Sequence, residues 1–294
     1  MKSTRRVQSG FTLIELVVVV AILAILAGLV LPKLDTYILK ANKSVSGSNI
    51  SGVSRYIQTH RVINNEYPDK MDSLLITGAT PTLWTSVGLP GDATFKVGLH
   101  PELTGGNAAG LPANTPKKLK AITVPADSAT SAYGRSMNRM GLNTVYDVDP
   151  SALADDIPGN QFGAETSTSA GRTLSGGSPI AALNIASNDG GGGVVAAADD
   201  GDAAGIWNKI YGSAGKQDSG AILVAFGFGP KNTAIGTTLQ DVPFYPNLDQ
   251  ISYYNRFVVF YEIYANGDRA SFKLATGADG DLMADEIREY YTTK

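Results

Sequence analysis

The 294-residue sequence has no cysteine. That excludes disulfides, thiolate metal sites and cysteine nucleophiles, while leaving the compartment open, because many exported proteins also manage without cysteine. Histidine is nearly as scarce: His60 and His100 are the only two, so a histidine-based catalytic site has little material. Excess positive charge is missing as well. The formal net charge is −3, which gives no general affinity for nucleic acid. No Gly-x-Ser-x-Gly elbow occurs. "YGSAGKQ" lacks the first glycine of a phosphate loop and has Gln217 where Ser or Thr should stand, and Gly227-Phe228-Gly229 is a lone Gly-x-Gly. With no catalytic motif, the chain reads as a non-enzyme.

Apolar residues, by contrast, are concentrated at one end. From Phe11 to Leu31 there are twenty-one residues, nearly all apolar, enough to cross a bilayer as a helix. The preceding "MKSTRRVQSG" carries Lys2, Arg5 and Arg6 and no acid. A secretory signal would have a shorter apolar stretch and a small-x-small cut site after it. Here the run continues through Pro32 into a polar helical pattern. The positive flank predicts an N-terminus held in the cytoplasm and an exported remainder. Topology alone would describe a plain single-pass anchor. Glu15 does not suit one, because it places a carboxylate inside the apolar run, where an unpaired charge is costly.

Gly10-Phe11-Thr12-Leu13-Ile14-Glu15 resembles the processing site of type IV pilins and of the pseudopilins of type II secretion systems. The basic leader, Gly10, Phe11, Glu15 as fifth residue after the glycine, and Pro32 as twenty-second all match the family pattern. The resemblance covers roughly the first sixty-eight residues. It implies that a prepilin peptidase cuts after Gly10 and methylates the new N-terminal Phe11. It also implies assembly with other pilin or pseudopilin subunits by a platform protein and an ATPase. The expected location is the bacterial inner membrane, spanned once with the N-terminus cytoplasmic, and then a filament in the periplasm or at the cell surface. In such filaments the Glu pairs with the N-terminal amine of a neighbouring subunit, which would make Glu15 a register device without a partner in its own chain. The alternative is a Glu near a helix end that reaches back to the headgroups. Removal of the leader takes three of 24 basic residues against 27 acidic ones and leaves −6.

After Pro32, the residues Leu34, Ile38, Ala41, Val45, Val53 and Ile57 fall on one helical stripe. Gly47, Gly52 and the serines at 44, 46, 48, 51 and 54 weaken the helix. Pro32 is expected to kink it. Asn64-Asn65 and the residue before Pro68 should end it. "NNEYPDKMDSLL" also resembles a pseudopilin pattern, implying a short helical or looped segment with Leu74 and Leu75 as its paired leucines. From about Ile76 to Ser219 the sequence is polar and glycine-rich, interrupted by the apolar islands "TLWTSVGL", "LKAITV", "IAALNIA" and "GIWNKIYG".

"GAILVAFGFG" reads as a buried strand, and "NRFVVFYEIY" and "RASFKLAT" as two strands joined through Asn266-Gly267. Phe257, Val259, Tyr261 and Ile263 should share a face toward the helix, with Ala270, Phe272 and Leu274 together on the returning strand. The expected fold class is α+β: a long N-terminal helix on a C-terminal antiparallel β-sheet, with a large irregular Gly-rich excursion between. In segments this gives a leader at 1–10, a membrane or filament-core helix at 11–31 and its amphipathic continuation at 32–66. A variable loop region follows at 67–219, then the sheet at 220–294 with a 257–274 hairpin.

No cofactor is required, but calcium is one ligand the sequence could suit. "TGADGDLMADE" sets Asp279, Asp281, Asp285 and Glu286 within eight residues, and hard cations take several oxygens from one flexible loop. The resemblance favours this, since some major pseudopilins hold calcium near the C-terminus. The spacing is not that of an EF-hand, and acidic loops are usually only solvated. Asp199, Asp200 and Asp202 form a weaker cluster among glycines. The expected function is a pseudopilin or minor pilin. The rival is an exported, membrane-anchored binding protein or hydrolase that uses the prepilin-like helix only for delivery; the size of the excursion supports it. Lack of cysteine excludes the C-terminal disulfide of adhesive pilins and favours the secretion type.

Overall fold

The computed structural model describes residues 12–76, 78, 82–85, 87–89, 92–105, 118–126, 132–148, 171–184, 203–212, 220–246, 248 and 253–292. Helix α1 runs from Leu13 to Asn64, 52 residues, and is about 78 Å long at 1.5 Å per residue. It begins at the N-cap Thr12 and ends at Asn65, whose φ of 58° is the left-handed cap conformation. The helix continues through Pro32, although Pro32 has no N–H to return to the carbonyl of Gly28.

The two halves of α1 have different surroundings. From Leu13 to Leu31 the large apolar side chains are 49–81% exposed. In the second half the stripe buried against the protein is Ser46, Ile50, Val53, Ile57 and His60. Of the expected stripe, Val53 and Ile57 lie in the core, but Leu34, Ile38 and Val45 are about half exposed, at 49–50%. The apolar periodicity before Val45 therefore belongs to the free half of the rod. Gly47 lies where a second helix packs on α1: a Cβ there would meet Glu286 Cβ at 3.7 Å, an ordinary contact distance.

The strands are β1 (Met71–Ile76), β2 (Thr82–Leu83), β3 (Val87–Leu89), β4 (Asp92–Val97), β5 (Leu119–Thr123), β6 (Thr144–Val148), β7 (Arg172–Thr173), β8 (Pro179–Leu183), β9 (Ile222–Gly227), β10 (Val258–Ile263) and β11 (Ser271–Thr276). The remaining helices are α2 (Pro101–Thr104), α3 (Ala132–Asn138), α4 (Ala203–Tyr211) and α5 (Met283–Thr292). The main sheet runs β11-β10-β9-β1-β6-β7, with β2 added on β1, and with β8 on β9 carrying β5. Strand β9 has two neighbours along one edge: Ala225 and Val224 pair with β8, and Gly227 pairs with Asp72 of β1.

Three expectations change here. The sheet is mixed, because β1 and β6 are parallel. Four of its strands, β5, β6, β7 and β8, lie within the excursion, so that region is not irregular throughout. The four apolar islands contribute β2 and β3, β5, β8 and α4. Leu74 and Leu75 lie in a strand rather than in a short helix or loop, and Leu74 has φ 62°. That left-handed residue interrupts the usual alternation of side chains, and both leucines enter the same core.

The hairpin differs in detail too. β10 and β11 pair antiparallel, but the connection spans residues 264–270 and only Gly267, φ 76°, has a positive φ there. Gly267 N–H donates to the Tyr264 carbonyl at 3.1 Å, so the turn is not the two-residue type expected for Asn-Gly. The register shifts at Lys273, between the pairs Phe260–Leu274 and Tyr261–Phe272. This bulge separates Phe272, which packs in the core facing α1, from Leu274, which packs on the opposite side.

The sheet has a core on each face. Ile50, Val53 and Ile57 of α1 meet Phe226, Phe257, Val259, Tyr261 and Ile263 on one. On the other, Val258, Phe260, Leu223 and Ala225, with Leu119 and Leu183 from neighbouring strands of the sheet, share a core with Trp84 and Trp207 from the excursion. Burial on both faces explains why β9 and β10 read as unbroken apolar runs.

Candidate functional site

Two regions carry the residues singled out in the sequence. The first is the start of α1. Gly10 and Phe11 lie outside the described residues. Thr12 and Glu15 form a reciprocal capping box: Thr12 Oγ1 accepts from Glu15 N–H at 3.3 Å, and Glu15 Oε2 accepts from Thr12 N–H at 2.8 Å. The Thr12 hydroxyl donates to the same oxygen at 2.9 Å. The expectation that Glu15 has no partner in its own chain is thus corrected. It has no counter-charge among the described residues, but its carboxylate satisfies an N-terminal backbone donor. The motif was legible in the sequence as Thr-x-x-Glu before an apolar run.

The second region is the loop after β11 with the first turn of α5. Gly277 and Gly280 allow the loop to fold tightly; a Cβ on Gly277 would lie 2.6 Å from Asp279 Oδ1, and Gly280 has φ 88°. Asp279, Asp281 and Glu286 converge, with carboxylate oxygens all within 4.8 Å of one another. Asp285 does not join them. It accepts from Leu282 N–H at 3.3 Å and pairs with Arg288 at 3.1 Å, serving the helix start instead. Asp199, Asp200 and Asp202 lie outside the described residues.

Sequence reasoning missed three other members of this cluster, because they are far away in the chain. Tyr245 is fully buried, and its hydroxyl lies 2.6 Å from Asp279 Oδ2 and also against Glu286 Oε1. A hydroxyl has one proton, so between two acceptor oxygens it can donate to only one. The second contact is satisfied when one of the two carboxyls keeps its own proton. Asp279 is a group suited to do so: burial, with Asp281's charge beside it, pushes its pKa up to about 7. Burial, with the Asp279 and Glu286 charges, likewise holds the Tyr245 phenol far above its ordinary range.

Lys118 enters from the start of β5. Its ammonium lies 3.0 Å from Glu102 Oε2, 3.0 Å from the Asp279 carbonyl and 3.2 Å from Asp281 Oδ1. Burial lowers its pKa, but the Asp281 and Glu102 charges outweigh this and leave it raised. His100, beside Glu102, is held below its ordinary value by burial and by Lys118 against the opposing pull of Glu102 and Asp281. Both histidines have structural uses: His60 Nδ1 meets the Glu66 carbonyl at 3.0 Å, and His100 Nδ1 accepts from Glu102 N–H at 3.4 Å. The spacing of the three acids suits one hard cation. The protein already brings a cation, the Lys118 ammonium, to the Asp281 carboxylate and the Asp279 carbonyl.

The architecture is a helix-led α+β one, in which the first half of α1 stands free and its second half packs on the sheet. Residues 5–31 match the prokaryotic N-terminal methylation motif. The type IV wide pilus major component PilA4 of Thermus thermophilus is 32% identical over 92 residues, 31% of this chain and 65% of that protein. Type II secretion system core protein G of Pseudomonas aeruginosa is 38% identical over 78 residues, 26% of this chain and 55% of its own length. That of Escherichia coli K12 is 35% identical over 83 residues, 28% and 57% respectively. The chain thus spans between about half and two thirds of the length of these relatives. No solved structure matches it significantly. The motif and relatives support the type IV pilin and pseudopilin family for this chain. The apolar half of α1, long enough to cross a membrane, fits a membrane-anchored pilin.

Proposed function

We propose that the chain is a structural subunit, not an enzyme: a pseudopilin of a type II secretion system or a minor pilin of a type IV filament. It is inserted in the inner membrane with its N-terminus cytoplasmic, cut after Gly10 by a prepilin peptidase and methylated on Phe11. An assembly ATPase and platform protein then add it to a filament of like subunits. The observation that carries this reading is the exposed apolar half of α1, from Leu13 to Leu31, continuous with the second half of the helix that packs on the domain. Such a surface needs lipid before assembly and neighbouring helices after it. The lack of cysteine favours the secretion type.

Glu15 sets register in this reading by meeting the free amine of a neighbour's Phe11, and its capping box holds the carboxylate at the helix start until then. The two roles separate by substitution. Glu15→Gln keeps an oxygen that can accept from Thr12 N–H, as the capping box allows, but removes the charge. Charge pairing requires that both Glu15→Gln and Glu15→Leu lose incorporation into filaments, measured by shearing and fractionation of cells. Normal incorporation of Glu15→Gln would leave capping as the role of Glu15. An anchored binding protein or hydrolase would be indifferent to both variants. Processing itself is read by N-terminal peptide mass: a chain beginning at Phe11 with an added methyl supports it, and one beginning at Met1 in cells that have the peptidase refutes it.

A further inference from the structure

We propose that Lys118 is the resident cation of the acidic loop, holding the place beside the Asp281 carboxylate and the Asp279 carbonyl that a divalent ion would otherwise take. The side chain of Lys118 is only 4% exposed. An ammonium has three donors, and this one has three oxygens at 3.0–3.2 Å: the Glu102 carboxylate, the Asp279 carbonyl and the Asp281 carboxylate. A carboxylate and a main-chain carbonyl from the same short loop are oxygens that calcium sites use, and here both point at nitrogen.

The socket is shaped for the lysine stem. A Cβ on Gly280 would lie 2.7 Å from Lys118 Cδ and 2.8 Å from Leu103 Cδ2, so the glycine leaves the channel through which the stem passes. Lys118 is also fixed at its backbone, where its carbonyl accepts from Asn184 N–H at 2.8 Å and begins the pairing of β5 with β8. The ammonium thereby ties two distant parts of the chain together. Glu102 and Lys118 belong to the excursion, whereas Asp279 and Asp281 lie more than 160 residues later in the loop that leads into α5. A divalent ion between the same oxygens would sit against a fixed positive charge that it cannot displace without withdrawing Lys118 from β5's end. The wild-type loop therefore takes no calcium, and removing the ammonium opens the position. This inference concerns the folded domain and does not depend on filament assembly.

The test is thermal melting of the full chain in detergent, followed by fluorescence of the buried Trp84 and Trp207, in EGTA and in millimolar calcium. Wild type should melt at the same temperature in both. Lys118→Met, which keeps the stem and loses the charge, should melt several degrees lower in EGTA and recover with calcium. A wild-type melting temperature that rises with calcium overturns the proposal, as does a Lys118→Met variant that is unaffected in EGTA or that calcium does not restore. Should Lys118→Met not fold, terbium luminescence sensitised by Tyr245 in the wild type decides. No signal is expected, and a saturable signal displaced by calcium overturns the assignment.

Discussion

Asp279 links the stability of the domain to pH, and the direction of that link follows from its surroundings. Its ordinary pKa is 3.8, and in the folded chain it is pushed up to about 7. A carboxyl with a raised pKa keeps its proton longer in the folded state than in the unfolded one. Folded protein therefore binds more protons than unfolded protein between about pH 4 and pH 7, and stability falls as pH rises through that window. Three pKa units at about 1.4 kcal/mol each give an upper bound of about 4 kcal/mol for the loss. Asp279→Asn removes the titration while preserving the bonding of the protonated acid: the amide oxygen accepts from Asp281 N–H, its NH2 donates to Tyr245, and Tyr245 donates to Glu286. Urea unfolding of both proteins in EGTA, from about pH 4 to about pH 8, measures the difference and cancels the other titrating groups. Asp279→Asn should gain on the wild type steadily as pH rises, ending more stable by up to about 4 kcal/mol. Parallel pH profiles, or a wild type that gains relative stability with pH, would refute the proton assignment.

Two further predictions concern the packing that holds α1 to the sheet. Ile57 is fully buried between α1 and the sheet; Ile57→Ala should lower unfolding stability by about 2–5 kcal/mol, and urea titration giving under about 1 kcal/mol would mean that the helix is not anchored there. Gly227, in β9 opposite Val258 and beside Asp72, has no room for a methyl: a Cβ would lie 2.9 Å from Leu74 Cδ2 and overlap the Tyr254 hydroxyl. Gly227→Ala should cost about 1–3 kcal/mol and displace Tyr254 from its 2.8 Å bond to Asp72, whereas an unchanged urea midpoint would show that the strand moves aside freely.

The parts that sequence reasoning located are those whose signals are local. The start and end of α1, the placement of Phe257, Val259, Tyr261 and Ile263 on the face toward α1 and the convergence of Asp279 with Asp281 all depend on neighbours a few residues away. What was missed depends on partners that sequence spacing does not reveal. Gly47 reads as a weak helix residue until α5 lies against it. Glu286 reads as a loop ligand although it lies in the first turn of α5. Tyr245 and Lys118 carry no motif, and only the folded chain brings them to the acids. The bulge at Lys273 is similar: its ammonium pairs with the buried Glu262 across the strand, so a residue that looked like the solvent side of an alternating strand serves a buried charge.

The excursion's contribution could nevertheless have been deduced by counting faces. A strand that alternates apolar and polar residues needs one cover, whereas "ILVAFG" and "VVFYEI" are apolar on both sides and need two. A single helix can supply only one of them, and α1 supplies it through Ile50, Val53 and Ile57. The other cover had to come from the long segment between helix and hairpin, however polar its average composition. Of its large apolar residues, Trp84, Leu103 and Trp207 share the core with Leu223, Val258 and Phe260, while Tyr133, Met137 and Leu142 join the core on the side of α1. The same cover explains the buried Glu262. It faces the excursion, where the Tyr211 hydroxyl reaches it from α4, and Tyr264 donates to its other oxygen at 2.7 Å. The described part of the excursion thus does two things: it extends the sheet through β5 to β8, and it covers the sheet's second face through Trp84 and Trp207.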